Sequence, residues 1–309
     1  MVDYLAITGG VGGAKLALGF AHLLAPDQVA FAVNTGDDFE HLGLSISPDI
    51  DTLTYTLADL ADKKEGWGRH DETWHFMDSL AALGGETWFR LGDRDLALHA
   101  FRTSELRAGR TLTAVTADIA ARLGIAQQIL PMSDDPVRTT VLTKDGPLAF
   151  QHYFVRDRCR PSVTGFDFQG AAQARLNPAI TALLPGLKGI IICPSNPFVS
   201  VDPLLSIGRA LLAEVDVPIV AVSPIVGGTA IKGPTAKMMA ELEIPATADA
   251  VAAHYGDLID GFVLDEQDRA LDGTLTPVTV VTRTVMVTLE DRIALARSCL
   301  ELITKLSTP

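Results

Sequence analysis

Short apolar runs of strand length recur along the chain, each followed by turn residues and then by a stretch of helical period. Residues 2–7, 29–33, 187–193, 218–222 and 261–264 are such runs. Residues 51–62 place Leu53, Leu57 and Leu60 on one helical face, and residues 289–305 do the same with Ile293, Ala296, Leu300 and Ile303. Apolar strands set between helices are covered on both faces. The pattern therefore predicts an α/β fold of Rossmann-like type, a mostly parallel sheet with helices on both faces. One stretch departs from it: residues 139–155 alternate around Lys144-Asp145-Gly146, which predicts a β-hairpin. An inserted cap over about residues 65–175 is expected on a core of about 1–64 and 176–309, the whole forming one domain.

In open α/β sheets ligands gather at the carboxyl ends of the strands. The first predicted strand runs into Thr8-Gly9-Gly10-Val11-Gly12-Gly13-Ala14-Lys15, and a helix is predicted over 14–24. Glycines let the backbone take positive φ and bring bare N–H groups close to a ligand. The start of a helix favours an anion such as phosphate. The run matches neither common phosphate motif. A P-loop would carry Lys and then Ser or Thr directly after its last glycine, and Lys15 stands where the dinucleotide fingerprint has its third glycine. The plainer alternative is a tight strand-to-helix turn that binds nothing.

Composition narrows the class. The 309 residues are 48% hydrophobic, ample for one large core or two modest ones. No run of 18 apolar residues is present, so no membrane span is predicted. Asp3 and the lack of a basic N-terminal stretch do not suit a signal peptide, and a cytoplasmic enzyme is expected. Cys159, Cys193 and Cys299 are dispersed and odd in number, which suits neither a disulfide framework nor a zinc site. A formal net charge of −13 opposes nucleic-acid binding. An acidic chain can still hold an anionic ligand through backbone donors, a few placed cations or a divalent metal.

Four polar groups fall at predicted strand ends and loops. Asp37 and Asp38, after the second strand, suit a metal or a ribose hydroxyl. In Ser47-Pro48-Asp49-Ile50-Asp51-Thr52, Asp49 and Asp51 suit Mg²⁺, which takes one or two carboxylates plus substrate phosphates. Asp49 reads equally well as a helix-start residue, which leaves Asp51 as the excess acid and the better functional candidate. Trp88-Phe89-Arg90-Leu91-Gly92-Asp93-Arg94-Asp95 suits an anionic, planar ligand, or a surface ion-pair loop beside core aromatics. Ser195-Asn196-Pro197 suits a second phosphate nest. The segment 223–237, with Gly227, Gly228, Lys232 and Gly233, reads either as a flap over a diphosphate or as a surface turn. His70 and His75 are five apart, not the spacing of a zinc helix, and no His pairs with a Ser or Cys nucleophile motif, so a hydrolytic triad is not expected.

Together these segments resemble the 2-phospho-L-lactate transferase (CofD) family of coenzyme F420 biosynthesis. The resemblance is carried by residues 8–16, Val33-Asn34-Thr35-Gly36-Asp37-Asp38, Ser47 to Thr52 and Leu91 to Asp95. It continues in Leu130-Pro131-Met132-Ser133-Asp134-Asp135-Pro136-Val137, Pro194 to Pro197, Ala221 to Ile225 and Phe262 to Glu266. It implies transfer of the phospho-acid moiety of a guanylylated diphosphate donor to the terminal ribityl hydroxyl of the deazaflavin Fo, with release of GMP and with Mg²⁺. It further implies a Rossmann-like core with a cap and a homodimer. Carried over by position, Fo contacts fall on Asp51 and Arg90. The guanosine diphosphate part falls on Gly10, Gly12 and Gly13 with Ser195 and Asn196. On the chemistry of the acids themselves, the metal is expected on Asp49 and Asp51, and Asp51 is expected as the catalytic residue that positions the ribityl hydroxyl. Two rivals share features. YvcK-like nucleotide-sugar-binding regulators have a similar glycine-rich start and Ser-Asn-Pro loop, but Leu91 to Asp95 and Trp67-Gly68 look like the transferase side. A nicotinamide oxidoreductase fails at the third glycine.

Overall fold

A computed structural model describes residues 2–64, 66–231 and 233–308. In chain order the strands are β1 (Tyr4–Thr8), β2 (Val29–Val33), β3 (Phe39–His41), β4 (Leu44–Ile46), β5 (Gln128–Pro131), β6 (Arg138–Thr143) and β7 (Gly146–Ala149). They continue with β8 (Val163–Gln169), β9 (Gly189–Ile192), β10 (Ile219–Val222), β11 (Ile225–Val226), β12 (Thr229–Ala230), β13 (Gly261–Asp265) and β14 (Val278–Thr282). The helices are α1 (Gly10–Leu23), α2 (Pro48–Leu57), α3 (His75–Ala82), α4 (Asp93–Arg107) and α5 (Leu112–Arg122). After them come α6 (Pro178–Leu183), α7 (Asp202–Ala213), α8 (Thr235–Glu241), α9 (Ala248–Tyr255) and α10 (Leu289–Leu306).

Seven strands form the main sheet in the order β14-β13-β10-β9-β1-β2-β5, every pair parallel. The two faces are filled by alternate residues of the same strands, as the period of two requires. Leu5, Ile7, Ile190 and Ile192 pack towards Leu204 and Leu205 of α7 and Val251 and Tyr255 of α9. Ala6, Phe31 and Ile191 pack towards Leu16 and Phe20 of α1 and Leu295 and Cys299 of α10. Helices thus cover both faces, and all strand carboxyl ends share one edge. No helix among the described residues is long and apolar enough to cross a membrane.

Several boundaries move for physical reasons. The first helix begins at Gly10 rather than at residue 14, so the glycines form its first turn. Glycine's weak helix propensity hides this in the sequence, and tertiary contacts supply what propensity lacks. The second helix covers Pro48–Leu57 instead of 51–62, because Asp59 takes a left-handed conformation (φ 54°) beyond its end. The hairpin forms, with Lys144-Asp145 between β6 and β7, and β8 joins its other side. It ends at Ala149. A π-helical turn at His152–Arg156 follows, where an extended strand to residue 155 was expected. The span 65–175 is not one piece apart from the sheet, because β5 lies within it and pairs with β2. The additions therefore split into the α3–α4 segment on one side of β5 and the β6–β8 sheet on the other.

Candidate active site

A cavity of about 750 Å³ opens at the carboxyl edge of the sheet. Residues just beyond four strands reach it: Gly9 and Gly10 after β1, Pro194 to Asn196 after β9, Ser223 after β10 and Thr284 after β14. Asp49 and Asp51 of α2 and Arg90 of the α3–α4 connection line it as well, so one concave space joins most of the residues expected to act together.

The glycine turn is shaped first by its own chain. Gly10 has φ +63°, a conformation open to glycine. A Cβ at Gly12 would collide with the Pro194 carbonyl, and one at Gly13 with the side chains of Thr8 and Ser195. The β1–α1 and β9 connections can cross this closely only without side chains. Gly10 and Gly12 border the cavity, whereas Gly13 faces Thr8 and Ser195 behind it. Ser195 Oγ donates to the Gly9 carbonyl (2.8 Å) and accepts from Gly9 N–H (3.3 Å). Asn196 Oδ1 accepts from Phe198 N–H (3.0 Å) and Val199 N–H (3.4 Å). These two side chains brace the nest, and the first-turn N–H groups of α1 remain without intrahelical acceptors.

Asp49 does not cap its own helix. Its Oδ1 accepts from Gly10 N–H (2.7 Å), so α2 supplies the anion at the start of α1. Its Oδ2 accepts from Asn34 Nδ2 (2.9 Å), which also donates to Asp37 Oδ1 (3.1 Å). Burial, the Asp49 charge and the Asp38 charge push the Asp37 carboxyl well above its usual range. Burial chiefly, with Asp51 adding to it, pushes Asp49 up to about 6. Burial also pushes Asp38 up to about 7, against the pull of Arg138 and the Ser47 hydrogen bond.

Asp51 sits differently. Both its oxygens are gripped by Arg102 of α4: Nη1 donates to Oδ2 (3.1 Å) and Nη2 to Oδ1. Its negative charge already has a partner, unlike that of Asp37 or Asp49. Among the described residues no three His, Cys, Asp or Glu side chains converge as a ready metal site. A carboxylate pair completed by substrate oxygens could hold a divalent cation here. Asp49 and Asp37, buried, mutually repelling and joined at Asn34, fit that description better than Asp49 and Asp51.

Arg90 is exposed, and its guanidinium lies 4.0 Å from the centre of the Trp74 ring. Trp67, Phe89, Phe150 and Phe154 add aromatic surface to the cavity lining. The segment 223–237 resolves into a two-residue hairpin, β11–β12, whose turn glycines Gly227 (φ 54°) and Gly228 (φ 78°) supply the left-handed conformations it needs. Val226, Ile231 and Gly233 line the cavity, and Lys232 lies outside the described residues. His70 contacts Asp71 at the surface (2.8 Å). The sequence reading missed Asn34, Tyr55, His99 and Arg102. Asp95, His99 and Arg102 at i, i+4 and i+7 on one face of α4 were the available signal.

The profile of the family described as 2-phospho-L-lactate transferase CofD matches residues 5–292. A 2-phospho-L-lactate transferase of Methanosarcina mazei is 38% identical over 268 residues, 86% of this chain and 88% of the relative. A phosphoenolpyruvate transferase of Streptomyces griseus is 38% identical over 309 residues, 96% of this chain and 97% of the relative. In fold, the chain is similar to a crystal structure of a UPF0052 family protein from Bacillus halodurans. The TM-score is 0.64 at 13% identity, with 97% of this chain and 100% of that one covered. With the glycine turn, the paired acids and the Arg90 wall meeting in one cavity, this chain belongs to the CofD family of transferases.

Proposed function

We propose that the cavity binds two substrates at once, a guanylylated phospho-acid at the glycine turn and the deazaflavin Fo along the Trp74–Arg90 wall. The observation that carries this reading is the position of Asp51, which borders the same cavity as both the Gly10–Gly12 turn and Arg90. The ribityl hydroxyl oxygen of Fo attacks the phosphorus that bears the acid. A new P–O bond forms, the P–O bond to the bridging oxygen of the diphosphate breaks, and GMP leaves. The product is F420-0 or a close analogue.

The chain's own groups have distinct tasks. First-turn N–H groups of α1 beyond Gly10, whose own N–H is held by Asp49, favour the diphosphate charge, with Lys15 on the cavity wall. Asp51 accepts a hydrogen bond from the attacking hydroxyl, orients it and lies where the released proton can go. Arg90, stacked on Trp74, presents a flat cationic face to the deazaflavin or to the incoming acid. Mg²⁺, held by Asp49 and Asp37 with substrate oxygens, would supply charge neutralisation for the diphosphate and the departing GMP. A homodimer is part of the same reading, and sedimentation of the purified chain checks it.

The donor's acid is the open choice, since the relatives named above are a phospholactate and a phosphoenolpyruvate transferase. The test is to mix purified protein with Fo, Mg²⁺ and guanylylated phospholactate, phosphoenolpyruvate or phosphoglycerate in turn. Product mass and GMP release are read together. One donor giving a phosphodiester of Fo is expected. Failure to bind Fo by fluorescence titration, or GMP release without Fo product, overturns the reading.

A further inference from the structure

At the cavity wall, α2 and α4 hold an array of charged and polar groups with Arg102 buried behind it. Asp51 and Tyr55 lie one turn apart on α2, facing Asp95, His99 and Arg102 on successive turns of α4. Arg102 forks onto both oxygens of Asp51. Its Nη1 also lies 3.4 Å from His99 Nδ1. On the other side of the ring, His99 Nε2 lies 3.1 Å from Asp95 Oδ2, outside good hydrogen-bond alignment. The Tyr55 hydroxyl donates to Asp95 Oδ1. Arg102 is 1% exposed, and it alone of the five does not border the cavity.

Stability does not explain this array. Removing a guanidinium and a carboxylate from water costs about as much as their attraction returns, and an apolar pair of the same volume packs at least as well. What the array supplies is geometry. A planar fork on a carboxylate fixes its rotation as well as its place. The fork is held in turn by a rigid helix, the His99 ring and the Ser45 carbonyl, 3.4 Å from Nη1.

We propose that Arg102 is a positioning residue for the transfer step, and that Tyr55, Asp95 and His99 hold its fork so that Asp51 meets the acceptor hydroxyl in line for attack. The proposal rests on the two-substrate reading above. Its effect belongs to the rate of transfer rather than to donor binding, because the contact to the glycine turn is made by Asp49, at Gly10 N–H, and not by any of these five side chains. A displacement of about 1 Å at a reacting group costs on the order of 100-fold in rate.

The test compares Arg102→Met, Arg102→Lys, His99→Gln and Tyr55→Phe by steady-state kinetics in both substrates. Arg102→Met is expected to lower kcat by about 100-fold with donor KM within about twofold. Arg102→Lys, which keeps the charge without the fork, should recover about tenfold of that loss. His99→Gln keeps a donor towards Asp95 but loses the ring nitrogen beside Arg102, and Tyr55→Phe removes only the hydroxyl. Both retain the Asp51–Arg102 pair and carry the test if the Arg102 variants do not fold. Each should lower kcat by roughly threefold to tenfold. If both leave kcat unchanged while Tm falls, the array is structural and the inference is overturned. If the wild-type chain transfers nothing to Fo, the functional reading fails and the inference falls with it. An active wild type with unaffected variants sinks the inference alone.

Discussion

Asp51, proposed above to meet the acceptor hydroxyl, also has a structural role. Its carboxylate is the counterion of a guanidinium that is fully buried. Asp51→Asn removes that charge and leaves the buried Arg102 without its carboxylate, and breaking a buried ion pair costs about 3–5 kcal/mol. The variant is expected to lose that stability in urea unfolding as well as most of its transfer activity, while nucleotide binding at the glycine turn persists. Unfolding free energy within about 1 kcal/mol of wild type would show that the pair is not desolvated as described. Asp51 was legible in the sequence because Pro48-Asp49-Ile50-Asp51 holds one more acid than a helix start needs. Arg102 was not. Its partner is 51 positions away, and an arginine on a helix usually reads as solvated surface. Asn34 stayed hidden for a similar reason, since nothing local says that one amide will hold two carboxylates from different elements.

At the scale of elements, two helices cap each other from outside. Asp93, the first residue of α4, accepts from Thr73 Oγ1 (2.6 Å) and from the N–H groups of His75 (3.1 Å) and Phe76 (3.0 Å) at the start of α3. In return Glu72, just before α3, accepts from the N–H groups of Arg94 (2.8 Å) and Asp95 (2.9 Å) at the start of α4. Each carboxylate meets N–H groups that a helix leaves unsatisfied. The crossed caps fix Trp74, and with it the platform under Arg90. Asp93→Ala is expected to loosen the starts of α3 and α4 locally. Hydrogen exchange should quicken across residues 72–82, and acceptor KM should rise while donor KM holds. Unchanged exchange there would show that the loop is held by other contacts. Apolar period exposed α10 and five strands of the main sheet, β1, β2, β9, β10 and β13, but not its edge strands β5 and β14. It did not expose α1's start or these caps, because both depend on side chains from another element rather than on local propensity.

Across the whole molecule, the buried acids set the pH response. Asp49 and Asp38 titrate near 3.8 when unfolded and at about 6 and about 7 when folded. Between those values the native state holds protons that the unfolded chain has released. Their contribution to stability is therefore present below about pH 4 and is lost as pH rises through 6 to 7, on the order of a few kcal/mol in all. Asp95 and Asp265 act in the opposite sense. Burial raises both carboxyls, but the nearby His99 ring, the Tyr55 hydroxyl and the Arg102 charge at Asp95, and hydrogen bonds from Thr284 and Gln267 at Asp265, outweigh it and hold them below the usual range. Their stabilisation is present above the unfolded value and is lost as pH falls through the folded one. Stability should then peak in mild acid and decline towards neutrality. A divalent cation at Asp49 and Asp37, as proposed above, would compete with the protons those acids hold and bind the deprotonated pair. Millimolar Mg²⁺ is expected to raise Tm at about pH 7.5 and to do little at about pH 5, since binding to the native state alone stabilises it. Asp49→Asn should remove most of the difference between the two. Equal Mg²⁺ shifts at both pH values, or a full shift in Asp49→Asn, would place the cation elsewhere.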